Sequence, residues 1–210
     1  MSTAPRRALL VVDVQNEYFS GNLRIEYPDP QQSLAHIGQA MDAATAAGIP
    51  VIVVRHLAPA GAPIFAPGSV GAELHPEIAR RPCDLLFDKH LASCFAGTEL
   101  ADWLQQRGID TLSVVGYMTH NCDDATVRHA AHHGWKVELL HDAAGSLPYR
   151  NAQGSASAEE IHRVFCVVMH TGFAAVCSTA DWLAAVANGQ ALAADSVWQS
   201  HQRALAGNAA

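Results

Sequence analysis

Val114-Val115-Gly116-Tyr117-Met118-Thr119-His120-Asn121-Cys122 is the stretch on which the fold turns. An apolar run over residues 111–115 reaches a glycine, and a few residues later a thiol opens a helical pattern over residues 122–133. Strand, turn and helix in that order form the repeating unit of a parallel α/β sheet. The first N–H groups of a helix lack partners, and the helix dipole favours negative charge there. A thiol held at such a start is expected to ionise below its free value of about 8.5. Two other ionisable residues end apolar runs: Asp13 after residues 8–12, and Lys89 at the end of residues 84–89. A thiol, a carboxylate and an ammonium at strand ends point to an activated cysteine nucleophile.

Working outward, six short runs rich in Val, Leu and Ile stand out: residues 8–12, 50–55, 84–89, 111–115, 136–140 and 173–177. Continuous runs of this kind suit parallel strands buried on both faces. Helical patterns separate most of them, over residues 33–47, 98–107, 122–133, 158–171 and 179–187. Gly48, Gly108 and Gly134 follow three of these patterns, as C-terminal stops do, and Ser178 or Thr179 can cap the last. The expected architecture is a three-layer, doubly wound α/β sandwich around a mostly parallel six-stranded sheet in the order 3-2-1-4-5-6. Residues 1–190 are expected to form one domain, and 191–210 a tail with a helix over 191–206 that packs on a partner subunit. Two long segments, 20–32 and 57–81, are the expected lids or binding loops; the second holds four prolines and three glycines.

In an open parallel sheet, ligands bind beyond the carboxyl ends of the strands, where strand order reverses. Asp13 and Cys122 then stand at neighbouring strands, and Lys89 reaches in from further along the sheet. The mix fits acyl transfer. A thiolate attacks a carbonyl carbon, Asp13 takes the thiol proton and passes it to a leaving amine, and Lys89 keeps both anions favourable. Backbone N–H groups can receive the oxyanion.

Composition narrows the field. Half of the 210 residues are hydrophobic and 16% are charged, which suits a sizeable core and excludes a disordered chain. A formal charge of −7 argues against nucleic acid and anionic membrane surfaces as partners. No stretch approaches the ~20 apolar residues of a membrane span, and the start shows no signal-peptide pattern, so a cytoplasmic location is expected. The five cysteines are an odd number without a C-x-x-C pair, as expected of free thiols in a reducing compartment. Cys166 and Cys177 lie in apolar runs and read as core. Among twelve histidines, His129, His132 and His133 share a helix without an H-E-x-x-H motif. No metal or other cofactor is expected.

With those residues in place, the chain resembles the isochorismatase-like cysteine hydrolases, which include nicotinamidases, N-carbamoylsarcosine amidohydrolases, ureidoacrylate amidohydrolases and isochorismatases. Four blocks carry the likeness, across roughly residues 7–185. Leu9-Leu10-Val11-Val12-Asp13-Val14-Gln15-Asn16, with Phe19, resembles an apolar-D-x-Q-x-x-F pattern. Lys89 followed by Ser93, Phe95, Gly97, Thr98 and Leu100 resembles K-x-x-x-S-x-F-x-G-T-x-L. The stretch from Gly116 to Cys122 resembles G-x-x-T-x-x-C, and Asp142-Ala143 follows a strand. The resemblance implies an Asp13–Lys89–Cys122 triad, a cis peptide between Tyr117 and Met118, and an oxyanion hole at the Met118 and Cys122 amides. The positions of the residues themselves suggest substrate contacts at Gln15, Phe19, His120 and Asn121, with Tyr149 and Arg150 in a loop overhanging the same edge; Gln15 can equally bond to backbone in its turn, and Phe19 can equally be core.

Two departures matter. Asp123-Asp124 follow the cysteine where the family often has an apolar residue. Val54-Arg55-His56 lacks the leading aspartate of the D-x-H metal motif of nicotinamidases, which leaves His56 with His75 as at most a remnant. The expected activity is hydrolysis of a C–N bond in a small amide or carbamoyl compound through a thioester. The expected partners are a small-molecule substrate and further copies of the chain, as a dimer or tetramer. The alternatives are vinyl ether hydrolysis of isochorismatase type, which needs no thiol, and a catalytically idle binding or assembly module. A dinucleotide-binding domain is disfavoured by the absence of G-x-G-x-x-G after the first strand.

Overall fold

The computed structural model describes residues 4–207. The first strand, β1 (Arg7–Val12), is buried along its whole length. Its side chains alternate between two cores, as a strand between two layers must. Leu9 and Val11 join Ile37, Met41 and Trp182 on one face, whereas Ala8, Leu10 and Val12 join Leu100, Leu104, Val127 and Met169 on the other. The first face is covered by α1 (Pro30–Ala46) and α6 (Thr179–Ala187). The second is covered by α3 (Leu100–Gln106), α4 (Asp124–His132) and α5 (Ala158–His170). A four-residue helix, α2 (Pro76–Ala79), lies in the long loop after β2.

The sheet is parallel. Beside β1 lie β2 (Val51–His56) and β4 (Thr111–Tyr117); β3 (Leu85–Lys89) is outside β2, and β5 (Lys136–Gly145) and β8 (Ala175–Cys177) are outside β4. The order β3-β2-β1-β4-β5-β8 is the expected order, with β8 as sixth strand. Strand order reverses between β1 and β4, where Val12 pairs with Gly116. Gly116 has φ +120°, and a Cβ there would lie 2.1 Å from the Val12 carbonyl oxygen. Only glycine lets the two strands meet at the point where Asp13 leaves one and the cysteine turn leaves the other.

Several expectations need correction. Cys122 does not open an α-helix. It lies inside a π-helical turn, Thr119–Asp123, and α4 begins only at Asp124. A π turn inserts one residue into the helical path, and such turns gather at functional sites. The strand over 136–140 continues to Gly145, and a separate hairpin of β6 (Tyr149–Asn151) and β7 (Gly154–Ala156) follows it. Polar, glycine-bearing residues hid this hairpin from a hydrophobicity pattern. As an edge strand, β3 leaves Leu86 54% exposed instead of being buried on both faces. Helix α1 starts at Pro30 because the Asp29 carboxylate accepts the N–H groups of Gln31 and Gln32 at 2.9 and 3.0 Å. Cys166 and Cys177 are half-buried. The terminal helix, α7, spans Val197–Gly207 and buries no residue; residues 208–210 of the expected tail lie outside the described residues.

Candidate active site

Asp13 follows β1 with φ +51°, a left-handed conformation that Asp tolerates better than most residues. Its N–H donates to the Val54 carbonyl at 3.0 Å, which fixes the turn against β2. Lys89 ends β3 in register with His56, across β2 from Asp13. Its side chain is fully buried and extends over that strand. The ammonium lies 2.8 Å from Asp13 Oδ2, and it donates to Cys122 Sγ at 3.2 Å and to the Leu91 carbonyl at 3.0 Å. Asp13, just after β1, and Cys122, in the turn after β4, therefore converge on the buried ammonium that Lys89 carries in from β3. Apart from the ion pair, neither Asp13 oxygen has a hydrogen-bond partner among the described residues.

The electrostatics of the three groups are coupled. Burial raises the Asp13 pKa above the ordinary carboxylate value, and Lys89 opposes that rise. Burial pulls Lys89 down, but the Asp13 carboxyl and the Cys122 sulfur beside it reverse this, so the net shift is upward. The Cys122 thiol is pushed up, by burial first and by Asp13 second, with Lys89 pulling the other way. The expected ionisation of Cys122 below its free value is therefore reversed at rest. One cation cannot neutralise two buried anions, so the resting site holds an ion pair and a neutral thiol. Cys122 is 5% exposed.

The remaining candidate residues separate by position. Tyr117–Met118 is a cis peptide, and the Met118 carbonyl accepts the Asn121 and Asp123 N–H groups at 3.0 and 3.2 Å, closing the π turn. The side chain of Gln15 is fully buried and engaged with backbone. It donates to the His56 and Ala72 carbonyls at 2.9 and 2.8 Å and accepts the His56 N–H at 2.8 Å. That geometry ties the Asp13 turn to β2 and to the loop after it, and uses both amide N–H donors of Gln15 on backbone. Phe19 packs against His75 and Tyr117, with ring centroids 4.5 and 5.7 Å away. Asn121 is exposed. His120 bonds through Nδ1 to Ser146 Oγ and through Nε2 to the Tyr149 hydroxyl, both at 3.0 Å. Burial lowers its pKa to about 4, so it is neutral at pH 7. Arg150 is exposed on β6.

His56 and His75 do not form a pair. His56 Nδ1 lies 3.5 Å from Lys89 Nζ, whereas His75 Nδ1 accepts the Glu77 N–H at the start of α2. His129 and His133 stack on each other at 4.4 Å. Among the described residues, no three His, Cys, Asp or Glu side chains converge as a metal set.

Three features escaped the sequence reading. Counted from Asp13, the aromatic position of D-x-Q-x-x-F is residue 18, so Tyr18 stands there and not Phe19; a strict count would have found it. Asp123 is fully buried, although its half-buried neighbour Asp124 pairs with Arg128. Tyr149 was expected over this edge, but its bond to His120 follows from the β6–β7 hairpin, which no local pattern reports.

Comparison with known proteins agrees with this fold. The isochorismatase domain profile matches residues 7–181. The uncharacterised isochorismatase family protein YddQ of Bacillus subtilis (strain 168) is 30% identical over 177 residues, covering 84% of this chain and 98% of that protein. The ureidoacrylate amidohydrolase RutB of Stutzerimonas stutzeri (strain A1501) is 31% identical over 186 residues, covering 73% and 75%. A crystal structure of an isochorismatase candidate from Burkholderia xenovorans LB400 is 60% identical, covers 99% of this chain and 100% of its own, and superimposes with a TM-score of 0.98. The chain belongs to the isochorismatase family, within the isochorismatase-like hydrolase superfamily.

Proposed function

We propose that this protein is a cysteine amidohydrolase that cleaves a C–N bond of a small amide or carbamoyl compound. The observation that carries the reading is the convergence of Asp13 and Cys122 on the buried Lys89 ammonium. The relative that acts as a ureidoacrylate amidohydrolase supports C–N chemistry.

The neutral resting thiol decides the order of events. As Sγ bonds to the carbonyl carbon, its proton passes to Asp13 and the carbonyl π electrons move onto oxygen. The Met118 and Cys122 backbone amides are the proposed oxyanion donors. The tetrahedral intermediate collapses, the C–N bond breaks, and the amine leaves with the proton from Asp13. Water then attacks the thioester while Asp13 takes its proton. The C–S bond breaks, the carboxylic acid product leaves, and Asp13 returns the proton to sulfur. Lys89 stays protonated throughout and compensates whichever of Asp13 and Cys122 carries the negative charge.

The test combines Cys122 alkylation by iodoacetamide, followed against pH by peptide mass spectrometry, with ammonia or amine release from a panel of small amides. Hydrolysis of one or more amides is expected, with a loss of roughly 10³-fold or more in Cys122→Ala. Vinyl ether cleavage that survives Cys122→Ala would favour the thiol-independent alternative. A Cys122 as unreactive as the buried Cys94, together with no turnover, would leave the idle binding module.

The proposal also covers residues 1–190 as the catalytic domain, a cytoplasmic setting and a homo-oligomer. Five unpaired thiols support the setting. Helix α7, without a buried residue, and the exposed Val164, Val167 and Val168 on α5 support assembly with further copies.

A further inference from the structure

The Lys89 ammonium has more acceptors around it than protons to give. It lies 2.8 Å from Asp13 Oδ2, 3.0 Å from the Leu91 carbonyl oxygen, 3.2 Å from Cys122 Sγ and 3.5 Å from His56 Nδ1. An ammonium carries three N–H groups. The carboxylate and the carbonyl are the nearest and are good acceptors, so each takes one. The third N–H is left between a sulfur and an imidazole nitrogen. A neutral thiol accepts weakly, and an imidazole lone pair accepts well. A thiolate reverses that ranking, because a charged acceptor bonds more strongly than a neutral one.

The fold holds His56 in that place. It ends β2 in register with Lys89 on β3. Gln15 accepts its N–H at 2.8 Å and donates to its carbonyl at 2.9 Å. The Phe65 ring stands edge-on to the imidazole, with centroids 5.4 Å apart. Backbone and ring are both fixed. A ring nitrogen that faces an ammonium presents its lone pair, so the imidazole proton sits on Nε2. Burial first, then Lys89 and His90, lower the His56 pKa to about 4, so Nδ1 remains an acceptor at pH 7. Apart from burial, the groups that act on the Cys122 thiol are Asp13 and Lys89. Lys89 is the one charge common to both residues.

We propose that His56 is a positioning residue that shares the third N–H of Lys89 at rest and yields it to Cys122 as negative charge forms on sulfur. The inference rests on the amidohydrolase reading and names what governs the nucleophile of that site. While the thiol is neutral, the imidazole draws the third N–H partly away from sulfur. As Asp13 takes the thiol proton, the growing charge on sulfur draws that N–H back. Both acceptors lie within reach of one ammonium position, so only a tilt of the N–H is needed. His56 thus acts through Lys89 and sets how readily Cys122 ionises.

The test follows alkylation of Cys122 by iodoacetamide at neutral pH in His56→Leu and His56→Asn, read by peptide mass spectrometry. Below the midpoint of the thiol, the rate follows the thiolate fraction. Leucine has no acceptor, so the third N–H passes wholly to sulfur. The rate in His56→Leu is expected to rise roughly 2- to 10-fold, the worth of one hydrogen bond. Asparagine offers an amide oxygen near the place of Nδ1, so His56→Asn is expected to alkylate at close to the wild-type rate. Asparagine is smaller than leucine, so a gain that came only from wider access would appear in both variants. A His56→Leu rate equal to or below the wild type overturns the inference, as does an equal gain in the two variants. The unaltered protein supplies a second check, a long-range proton–nitrogen NMR correlation of the His56 ring. A proton on Nε2 is expected there, and a proton on Nδ1 overturns the inference. If Cys122 of the wild type is no more reactive than the buried Cys94, the nucleophile reading fails and the inference falls with it. A reactive Cys122 with unresponsive His56 variants leaves that reading intact and removes His56 alone.

Discussion

Lys89 shows how one residue can organise a site from a distance. It leaves an edge strand, crosses β2 and places a fully buried ammonium between a carboxyl and a thiol. Removing one partner of a buried ion pair leaves the other charge uncompensated. Lys89→Met is therefore expected to cost about 3–5 kcal/mol in urea unfolding. It also removes the cation that holds the Cys122 thiol down, so alkylation at neutral pH should be slower than in the wild type. Equal or faster alkylation of a folded Lys89→Met protein would show that Lys89 does not act on the thiol. At this scale the sequence was legible where an ionisable residue ended an apolar run, as at Asp13 and Lys89. It was not legible for the charge state of Cys122, because burial and two neighbours set that state together. Nor did it decide between backbone bonding and a site role for Gln15, since its partners come from residues 41 to 57 positions away.

Among the elements, those with local signals were readable. Gly48, Gly108 and Gly134 follow their helices with φ of +68°, +63° and +91°, the conformation that made glycine the stop. Ser178 caps α6 through a reciprocal bond with Asp181. The π turn and the β6–β7 hairpin were not readable, because each is shaped by the element it packs on. Helix α7 belongs to a third kind. Its residue pattern announced it, yet among the described residues it buries no side chain. Eleven residues form a marginal helix in water without burial. Removal of residues 197–210 is therefore expected to lower the mass seen in sedimentation equilibrium, by releasing contacts between copies. An unchanged mass would remove α7 from the assembly. The Asp195 N–H, bonded to the His170 carbonyl at 2.9 Å, stays in the truncated chain.

Over the whole molecule, burial of titratable groups makes stability depend on pH. His56, His120 and His162 are each lowered to about 4, by burial first. Unfolded, each titrates near 6.5. Between these values the unfolded chain binds more protons, so the stability that these groups contribute is complete above about 6.5 and is lost as pH falls towards 4. Asp13 and Asp123, with raised values, act in the opposite sense. The histidine contribution is therefore read as a difference: His162→Asn should lose less stability than the wild type between pH 6.5 and 4, by urea midpoint. Parallel profiles would refute it. The order of the sheet, its two cores and the strand ends holding Asp13 and Lys89 were determined by the sequence alone, because periodicity and strand-end chemistry are local properties. The protonation of Cys122, the clamp made by Gln15, the hairpin over His120 and the unpaired, buried carboxyl of Asp123 were decided only by tertiary structure. Each depends on groups far apart in the chain, and on the low dielectric created when the sheet and its helices close over them.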